Sequence, residues 1–165
     1  MAAATAERFG RRPKWTGRQF GASVWRFIAG HRGQNQIRST PALLDDRVYF
    51  GSRAGNVHCL DTASGKEIWR FIGADSVESS PSFVADLRVL FIGLNHSLVG
   101  RLGSVVALSP ITGKKVWEYS VNHFVNSTPI YNSRHGVLAC GTDGGVLLLI
   151  DPKACKALWN LHRSW

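Results

Sequence analysis

The residues best suited to chemistry in this sequence are its histidines and cysteines, which can bind metal ions or act as bases and nucleophiles. They are His31, His58, His96, His123, His135, His162, Cys59, Cys140 and Cys155. None stands in an HExxH, CxxC or other paired-ligand spacing, so the sequence predicts no zinc site, haem attachment or closed disulfide framework. We expect surface or satisfied core histidines. Cys59 and Cys140 alternate with apolar neighbours and are expected to be buried free thiols.

Two glycine-rich stretches, GSRAG at residues 51–55 and GTDGG at residues 141–145, resemble phosphate-binding loops in composition. A phosphate cradle needs a helix to begin directly after the loop, whereas these stretches connect strand to strand. ITGKK at residues 111–115 likewise forms a hairpin turn in this interpretation. No nucleophile is paired with a base. The sequence therefore predicts no catalytic, cofactor-binding or metal-binding residue.

Length and composition predict one globular domain. The chain has 165 residues, of which 44% are hydrophobic and 19% charged, and this is enough to bury a core. No apolar run approaches the roughly eighteen residues that cross a bilayer. Arg11 and Arg12 are followed by Lys14 and Trp15 instead of an apolar segment, so no export signal is expected. These features predict a soluble chain and leave its compartment open.

Basic charge is concentrated at the N terminus. Residues 1–38 hold eight basic side chains and one acidic one, whereas the remainder holds twelve and ten. We interpret residues 1–19 as a flexible, irregular basic arm. Nucleic acid is not expected as a partner, because the body of the chain has no basic stripe that would extend such a site. Contact with anionic lipid and a transit-peptide role stay open as alternatives.

An internal repeat of 42 to 48 residues decides the architecture, and three markers recur in it. The first is a tryptophan, preceded four residues earlier by a glycine in all copies but the last. The second is a Ser-Ser/Thr-Pro triplet, and the third is a glycine that closes an apolar run. The first two markers give the motif Gly21, Trp25, Gly65, Trp69, Gly113, Trp117, Trp159, Pro41, Pro81 and Pro129. The run-closing glycines are Gly51, Gly93 and Gly141.

Each repeat divides into four short strands separated by turn residues, and a four-stranded unit of this length is typical of a β-propeller blade. We predict an all-β partial propeller over residues 20–165. It has an extra outer strand at residues 20–28 and complete blades at about residues 37–72, 77–121 and 125–162. Known propellers close with about four to eight blades. The chain is therefore expected to be a segment of a larger propeller, or a shortened product that begins inside a blade.

The recurring glycine and tryptophan have a structural interpretation. Gly65 and Gly113 are expected to supply a positive φ in a tight hairpin. Trp69 and Trp117 are expected to pack against a neighbouring blade, because one blade cannot bury both of its sheet faces alone. The motif is thus predicted to serve packing and not ligand binding.

The strings VYFGSRAGNVHCLDTASGKEIWRF and VVALSPITGKKVWEYSV, with their upstream triplets, resemble the quinoprotein-type repeat of pyrroloquinoline-quinone (PQQ) dehydrogenases. The resemblance covers about residues 20–162. The same repeat occurs in cofactor-free proteins: an outer-membrane-assembly lipoprotein, sensor ectodomains and the propeller of some acyl-activating enzymes. Cys155 stands where the third unit would carry its turn glycine, which implies a longer or more strained turn.

By its resemblance to the dehydrogenases, the chain would hold a calcium ion and a quinone in the central funnel of the propeller. The candidate oxygen ligands here are Asp75, Glu78, Asn122 and Asn126, which precede the Ser-Ser/Thr-Pro triplets. The vicinal disulfide and the CxxCH haem motif of family members have no counterpart in this sequence. We therefore expect no cofactor, with PQQ and calcium as the weaker alternative.

The favoured function is a non-catalytic module for protein interaction or assembly. Variable loops on a rigid scaffold suit binding, and the expanded stretch Leu94–Gly103 is the best candidate loop. Open β edges should also drive self-association or capture of a protein partner. The alternatives are a fragment of a PQQ-dependent dehydrogenase and a fragment of the propeller of an acyl-activating enzyme.

Overall fold

A computed structural model of the chain describes residues 6–8, 24–30, 36–97, 99–154 and 156–162. The described residues form fourteen β-strands and one short 3-10 helix, Ala85–Leu87. The strands are β1 (Ala6–Arg8), β2 (Trp25–Phe27), β3 (Ala42–Leu44), β4 (Arg47–Ser52), β5 (Asn56–Asp61), β6 (Glu67–Ile72), β7 (Ser82–Val84), β8 (Val89–His96), β9 (Leu102–Leu108), β10 (Lys115–Val121), β11 (Ile130–Asn132), β12 (Val137–Gly141), β13 (Val146–Asp151) and β14 (Lys156–His162).

Twelve of these strands form three four-stranded antiparallel sheets, each a simple meander. The first sheet is β3-β4-β5-β6, the second is β7-β8-β9-β10 and the third is β11-β12-β13-β14. Sequential antiparallel order follows from the short turns, which return the chain directly beside the strand it has left. The three sheets confirm the prediction of an all-β partial propeller with about three complete four-stranded blades.

Tight turns join the third and fourth strands of the first two sheets, and glycine is required in both. Gly65 has φ 70° and Gly113 has φ 71°. Residues with a Cβ rarely adopt this left-handed backbone conformation. The register of the following strand then shifts by a β-bulge just before the tryptophan in all three sheets. The bulge leaves an apolar side chain facing outward, which is Ile68, Val116 or Leu158.

The extra outer strand before the first sheet is observed as β2. It pairs antiparallel with β1, so that Ala6 lies opposite Phe27 and Arg8 opposite Trp25. We call β1 and β2 together the N-terminal ribbon. Strand β1 lies in the segment interpreted as an irregular arm, and the sequence analysis did not anticipate it. A three-residue segment without apolar alternation carries no strand signal, and only its pairing with β2 defines it.

The hydrophobic core lies between the sheets. One cluster joins the first sheet to the second through residues such as Tyr49, Cys59 and Ile92, and another joins the second to the third through Phe91, Leu138 and others. A smaller cluster packs the ribbon residues Trp25 and Phe27 against the preceding face of the first sheet. Sheet-on-sheet burial therefore stabilises the array, as expected for stacked repeats.

Candidate interaction surface

The indoles of Trp25 and Trp69 each pack on the hairpin turn of the following sheet. A Cβ built on Gly65 would lie 2.7 Å from the Trp25 ring, and one built on Gly113 would lie 2.5 Å from the Trp69 ring. The indole N–H of Trp25 donates to the Thr62 carbonyl at 2.8 Å. The two turn glycines thus serve both the positive φ and the close approach of the indole.

The turn of the second sheet receives further donors from the first sheet. The Pro110 carbonyl accepts hydrogen bonds from the indole of Trp69 at 3.0 Å, the hydroxyl of Tyr49 at 3.1 Å and the guanidinium of Arg47 at 3.0 Å. Burial raises the pKa of the Tyr49 hydroxyl to about 12, so it stays protonated and keeps donating. This joint fixes the first two sheets relative to each other.

The first serine of each Ser-Ser/Thr-Pro triplet binds the run-closing glycine of the same unit. The amide N–H of Gly51 donates to Ser39 Oγ at 2.8 Å, that of Gly93 to Ser79 Oγ at 3.0 Å and that of Gly141 to Ser127 Oγ at 2.8 Å. Ser79 also donates to the Ser127 carbonyl of the next sheet at 2.7 Å. The second and third sequence markers therefore recur together because they form one hydrogen-bonded joint.

The run-closing glycines also receive a valine from the following unit. A Cβ on Gly51 would lie 2.4 Å from Val77 Cγ1, and one on Gly93 would lie 2.5 Å from Val125 Cγ1. Val77 and Val125 are fully buried and each precedes its marker serine by two residues. We call this contact the glycine–valine joint.

The two central strands of the third sheet, β12 and β13, are buried on one face only. In β12 and β13 buried residues alternate with partly exposed ones, whereas the central strands of the second sheet are buried on both faces. The exposed members point away from the second sheet and form what we call the open face. It consists of Ile130, Val137, Ala139, Leu147 and Leu149, of which Ile130 is 65% and Leu147 42% exposed. At the equivalent positions of the second sheet, Val89 is 8% exposed and Phe91, Val105 and Ala107 are 0% exposed.

The open face ends in an unfilled glycine–valine joint. A Cβ built on Gly141 would meet only its own sheet, at 3.6 Å from Ser127 Oγ. Ala139 stands where the first two sheets carry Tyr49 and Phe91, which leaves a hollow in the middle of the face. The arrangement is apolar and able to accept another sheet.

At the other end of the array, the inner part of the first sheet is also uncovered. Ile37 is 42% exposed, although it occupies the place of Val77 and Val125, and Leu43 is 73% exposed. Pro41 is exposed, whereas Pro81 and Pro129 are buried. We call Ile37 and Leu43 the uncovered edge. The ribbon covers the outer part of the same face.

A buried polar network lies between the ribbon and the first sheet. Ser52 Oγ lies 3.2 Å from His58 Nε2, and His58 Nδ1 lies 2.8 Å from a Glu67 oxygen. Arg70 holds Glu67 in two hydrogen bonds. This order of serine, histidine and carboxylate occurs in hydrolases, but Ser52 and His58 have no exposed surface here. Substrate has no access, so the network binds strand to strand.

Burial governs the charge states in this network. Desolvation lowers the pKa of His58, against the opposing effect of Glu67, so the imidazole is neutral near pH 7. The pKa of Glu67 is also lowered: burial acts to raise it, and the hydrogen bonds from Arg70 and His58 outweigh that effect. The His58 ring stacks on Phe50 with centroids 5.0 Å apart and meets Phe27 of the ribbon edge-on at 5.3 Å.

Two of the four candidate calcium ligands, Glu78 and Asn126, have side-chain partners within the protein. Glu78 is bound by Arg38 and Arg53, each at 3.2 Å. The side-chain oxygen of Asn126 accepts from Asn95 at 2.7 Å. These two of the four candidate ligands are therefore engaged within the fold. Within the described ranges no group of three or more His, Cys, Asp or Glu could hold a metal ion.

The two described cysteines are buried and free, as predicted. Burial raises the pKa of Cys59 to about 11 and raises that of Cys140 as well, so both remain thiols. Cys155, Gly21 and the side chain of Trp159 lie outside the described residues; the backbone of Trp159 pairs with Leu149 in the third sheet. The proposed strain at the Cys155 turn stays a prediction.

The expanded β8–β9 connection reaches the third unit. Arg101 at its end pairs with Asp143, and its guanidinium lies 5.3 Å from the ring centre of Phe124. Val99 in the same loop is 98% exposed. Close to this contact is a cleft of about 240 Å³, whose lining residues are Tyr119, Ser120, Val121, Asn122, His123, Thr142, Val146 and Leu148.

The open face was not singled out from the sequence. The signal that could have found it is a comparison of equivalent positions, because the alternating Val137, Ala139, Leu147 and Leu149 match buried residues in the second unit. Helices that could cross a membrane are not found among the residues placed by the structure.

Comparison with known proteins supports one family. A family model described as outer membrane protein assembly factor BamB matches residues 16–164. A search of curated proteins gave no match. Among solved structures, BamB from Moraxella catarrhalis is similar with a TM-score of 0.61 and 16% identity, over 82% of this chain and 39% of that one.

Two dehydrogenases have the same fold. A quinohemoprotein alcohol dehydrogenase from Comamonas testosteroni aligns with a TM-score of 0.66 and 16% identity, over 78% of this chain and 27% of its own. A europium-containing methanol dehydrogenase aligns with a TM-score of 0.65 and 14% identity, over 83% and 36%. The chain thus spans between about a quarter and two fifths of the length of these proteins.

Proposed function

The chain belongs to the family described as outer membrane protein assembly factor BamB, and we propose that it is a propeller segment that binds protein and catalyses no reaction. Its binding surface is the open face of the third sheet. Protein is the partner class because the equivalent apolar faces of the first two sheets are each covered by another sheet with its own apolar side chains.

One observation carries the proposal. Leu147 is 42% exposed, whereas Val105 and Val57 at the equivalent positions of the other two sheets are 0% exposed. In those sheets the position is covered by the next sheet of the stack. Burying apolar area yields roughly 25 cal/mol per Å², so covering the open face would stabilise an assembly.

A dehydrogenase segment remains the second candidate, and the two similar dehydrogenase structures favour it. Fold similarity at this level of identity assigns no chemistry. The partners of Glu78 and Asn126 speak against a calcium and quinone site built from the candidate ligands. A segment of an acyl-activating enzyme's propeller remains a weaker hypothesis.

Photo-crosslinking tests the binding surface. A photoreactive amino acid replaces Leu147 in the full chain, and a matched chain carries it at Ile72, which is 74% exposed on the rim of the first sheet. We expect a covalent adduct with a polypeptide from position 147 and far less from position 72. The adduct should disappear when Leu149→Asp is added. Equal adducts from both positions, or none, would end the proposal.

Reconstitution tests the alternative. The purified chain is mixed with PQQ and calcium and assayed for alcohol-dependent dye reduction. We expect no turnover above that of PQQ and calcium without protein. Turnover that depends on the chain would replace the binding proposal with the dehydrogenase one.

A further inference from the structure

The two ends of the sheet array carry complementary halves of one contact. In the third sheet, no side chain from another unit fills the space beside Gly141. We call the space beside a run-closing glycine its socket. At the first sheet, Ile37 is exposed and occupies the place of the buried valines Val77 and Val125. Those valines fill the sockets of Gly51 and Gly93 inside the molecule.

We infer that the open face binds the uncovered edge of a second copy of this chain, head to tail, so that Ile37 of one copy fills the Gly141 socket of the other. The inference rests on the proposed function of the open face and names its partner. Leu43 of the second copy would pack near the hollow at Ala139, as its counterparts Phe83 and Tyr131 pack against the preceding sheet. The contact would continue an interface that the chain already forms twice.

Closure fixes the number of copies. A head-to-tail contact generates a ring or an open fibre, depending on whether the rotation closes. Two copies supply six complete sheets, which lies within the range of about four to eight blades in known propellers, whereas three copies supply nine. The chain aligns with 39% of the BamB structure, so two copies supply close to the polypeptide of one such propeller.

The N-terminal ribbon stands in the way of this contact and would have to move. Trp25 occupies the Gly65 turn and donates to the Thr62 carbonyl, just as Trp69 does at Gly113 and Pro110. Strand β2 therefore holds the place of a preceding sheet's outer strand, which β14 of the second copy would take. The ribbon thus acts as a cap that competes with association.

The solution mass tests the inference directly. Sedimentation equilibrium of the full chain should give twice the 18.1 kDa of one copy. Gly141→Val should reduce the association constant by at least tenfold, because its side chain fills the socket. The variant should fold, since the only atoms near the added Cβ lie 3.6 to 3.8 Å away, at ordinary contact distance. Circular dichroism checks that fold.

The arrangement of the two copies is tested by mixing variants. Ile37→Asp should also yield monomers, and a mixture of Ile37→Asp with Gly141→Val should recover dimers, because each mixed pair keeps one native joint. Dimers of Ile37→Asp alone would overturn the head-to-tail arrangement. Trp25→Ala should raise the dimer fraction by loosening the ribbon, and a fall in that fraction would contradict the competition.

The crosslink at position 147 separates this inference from the proposed function. An adduct between two copies that maps near Ile37 supports both. An adduct with a different polypeptide, from a chain that is monomeric by sedimentation, overturns the inference and leaves the proposed function standing. Absence of any adduct ends both.

Discussion

The second and third sheets share strand order, turn chemistry and repeat markers, yet they differ in what their outer faces touch. In the second sheet, the ring centres of Phe91 and Trp117 are 5.5 Å apart, and Phe91 is fully buried between two sheets. Its counterpart Ala139 lies in a partly exposed row. The same motif therefore produces a buried core only where a neighbouring sheet follows, and at the end of the array it leaves an apolar face exposed, which we propose binds protein.

The second and third sheets should differ most in the free energy of unfolding that is lost when a large side chain is removed. Phe91→Ala should lower the free energy of unfolding by about 3–5 kcal/mol, because it leaves a cavity between two sheets. Leu147→Ala on the open face should cost less than about 1 kcal/mol in the monomer, because its site is half exposed. Urea unfolding at low protein concentration measures both. Equal costs would mean that the open face is already covered within one chain.

The turn glycines sharpen the comparison next. Gly113→Ala should cost about 3 kcal/mol, since it combines a strained positive φ with a clash against the Trp69 ring. Gly145 in the third sheet has φ 75°, and a Cβ added there by Gly145→Ala would have no atom within 4 Å. It should cost only the strain, about 1 kcal/mol. Thermal unfolding distinguishes them, and a Gly145→Ala cost as large as that of Gly113→Ala would refute the indole contact.

The marker serines give a smaller effect. Ser79→Ala removes the hydroxyl that links Gly93 to the Ser127 carbonyl of the next sheet, and should cost about 1–3 kcal/mol. Ser127→Ala should cost less, because its bonds stay within its own unit at the exposed end, where water can replace them. Chemical denaturation of the two variants checks the order. The reverse order would contradict the joint.

Acid should destabilise the first sheet in particular. The pKa of His58 is lowered in the folded chain, so below its ordinary value of 6.5 the unfolded chain binds the proton more readily and stability falls as pH falls. His58→Val supplies the residue found at the equivalent position, Val106. The variant should lose part of the stability change between pH 6.5 and 5. An unchanged pH profile would contradict a lowered pKa of His58 in the folded chain.

The architecture could be read from the sequence because each marker solves a local problem. A glycine precedes three of the four repeat tryptophans by four residues, and a serine precedes each marker proline by two. The structure gives the turn glycines Gly65 and Gly113 and the marker serines contacts that explain this spacing. The pairing of β1 with β2 could not be read, because three residues carry no periodic signal. The open face and the uncovered edge depend on which neighbour is present, which is a property of the assembly and not of local pattern.

Thiol labelling of Leu147→Cys tests the central claim most directly. Cys155 is replaced by serine, and Cys59 and Cys140 are buried thiols that react slowly. Ile72→Cys in the same background serves as the exposed reference. If the open face binds protein, the thiol at position 147 should be protected in the intact assembly and become reactive on dilution. A thiol that labels as fast as the reference at every concentration would contradict the account.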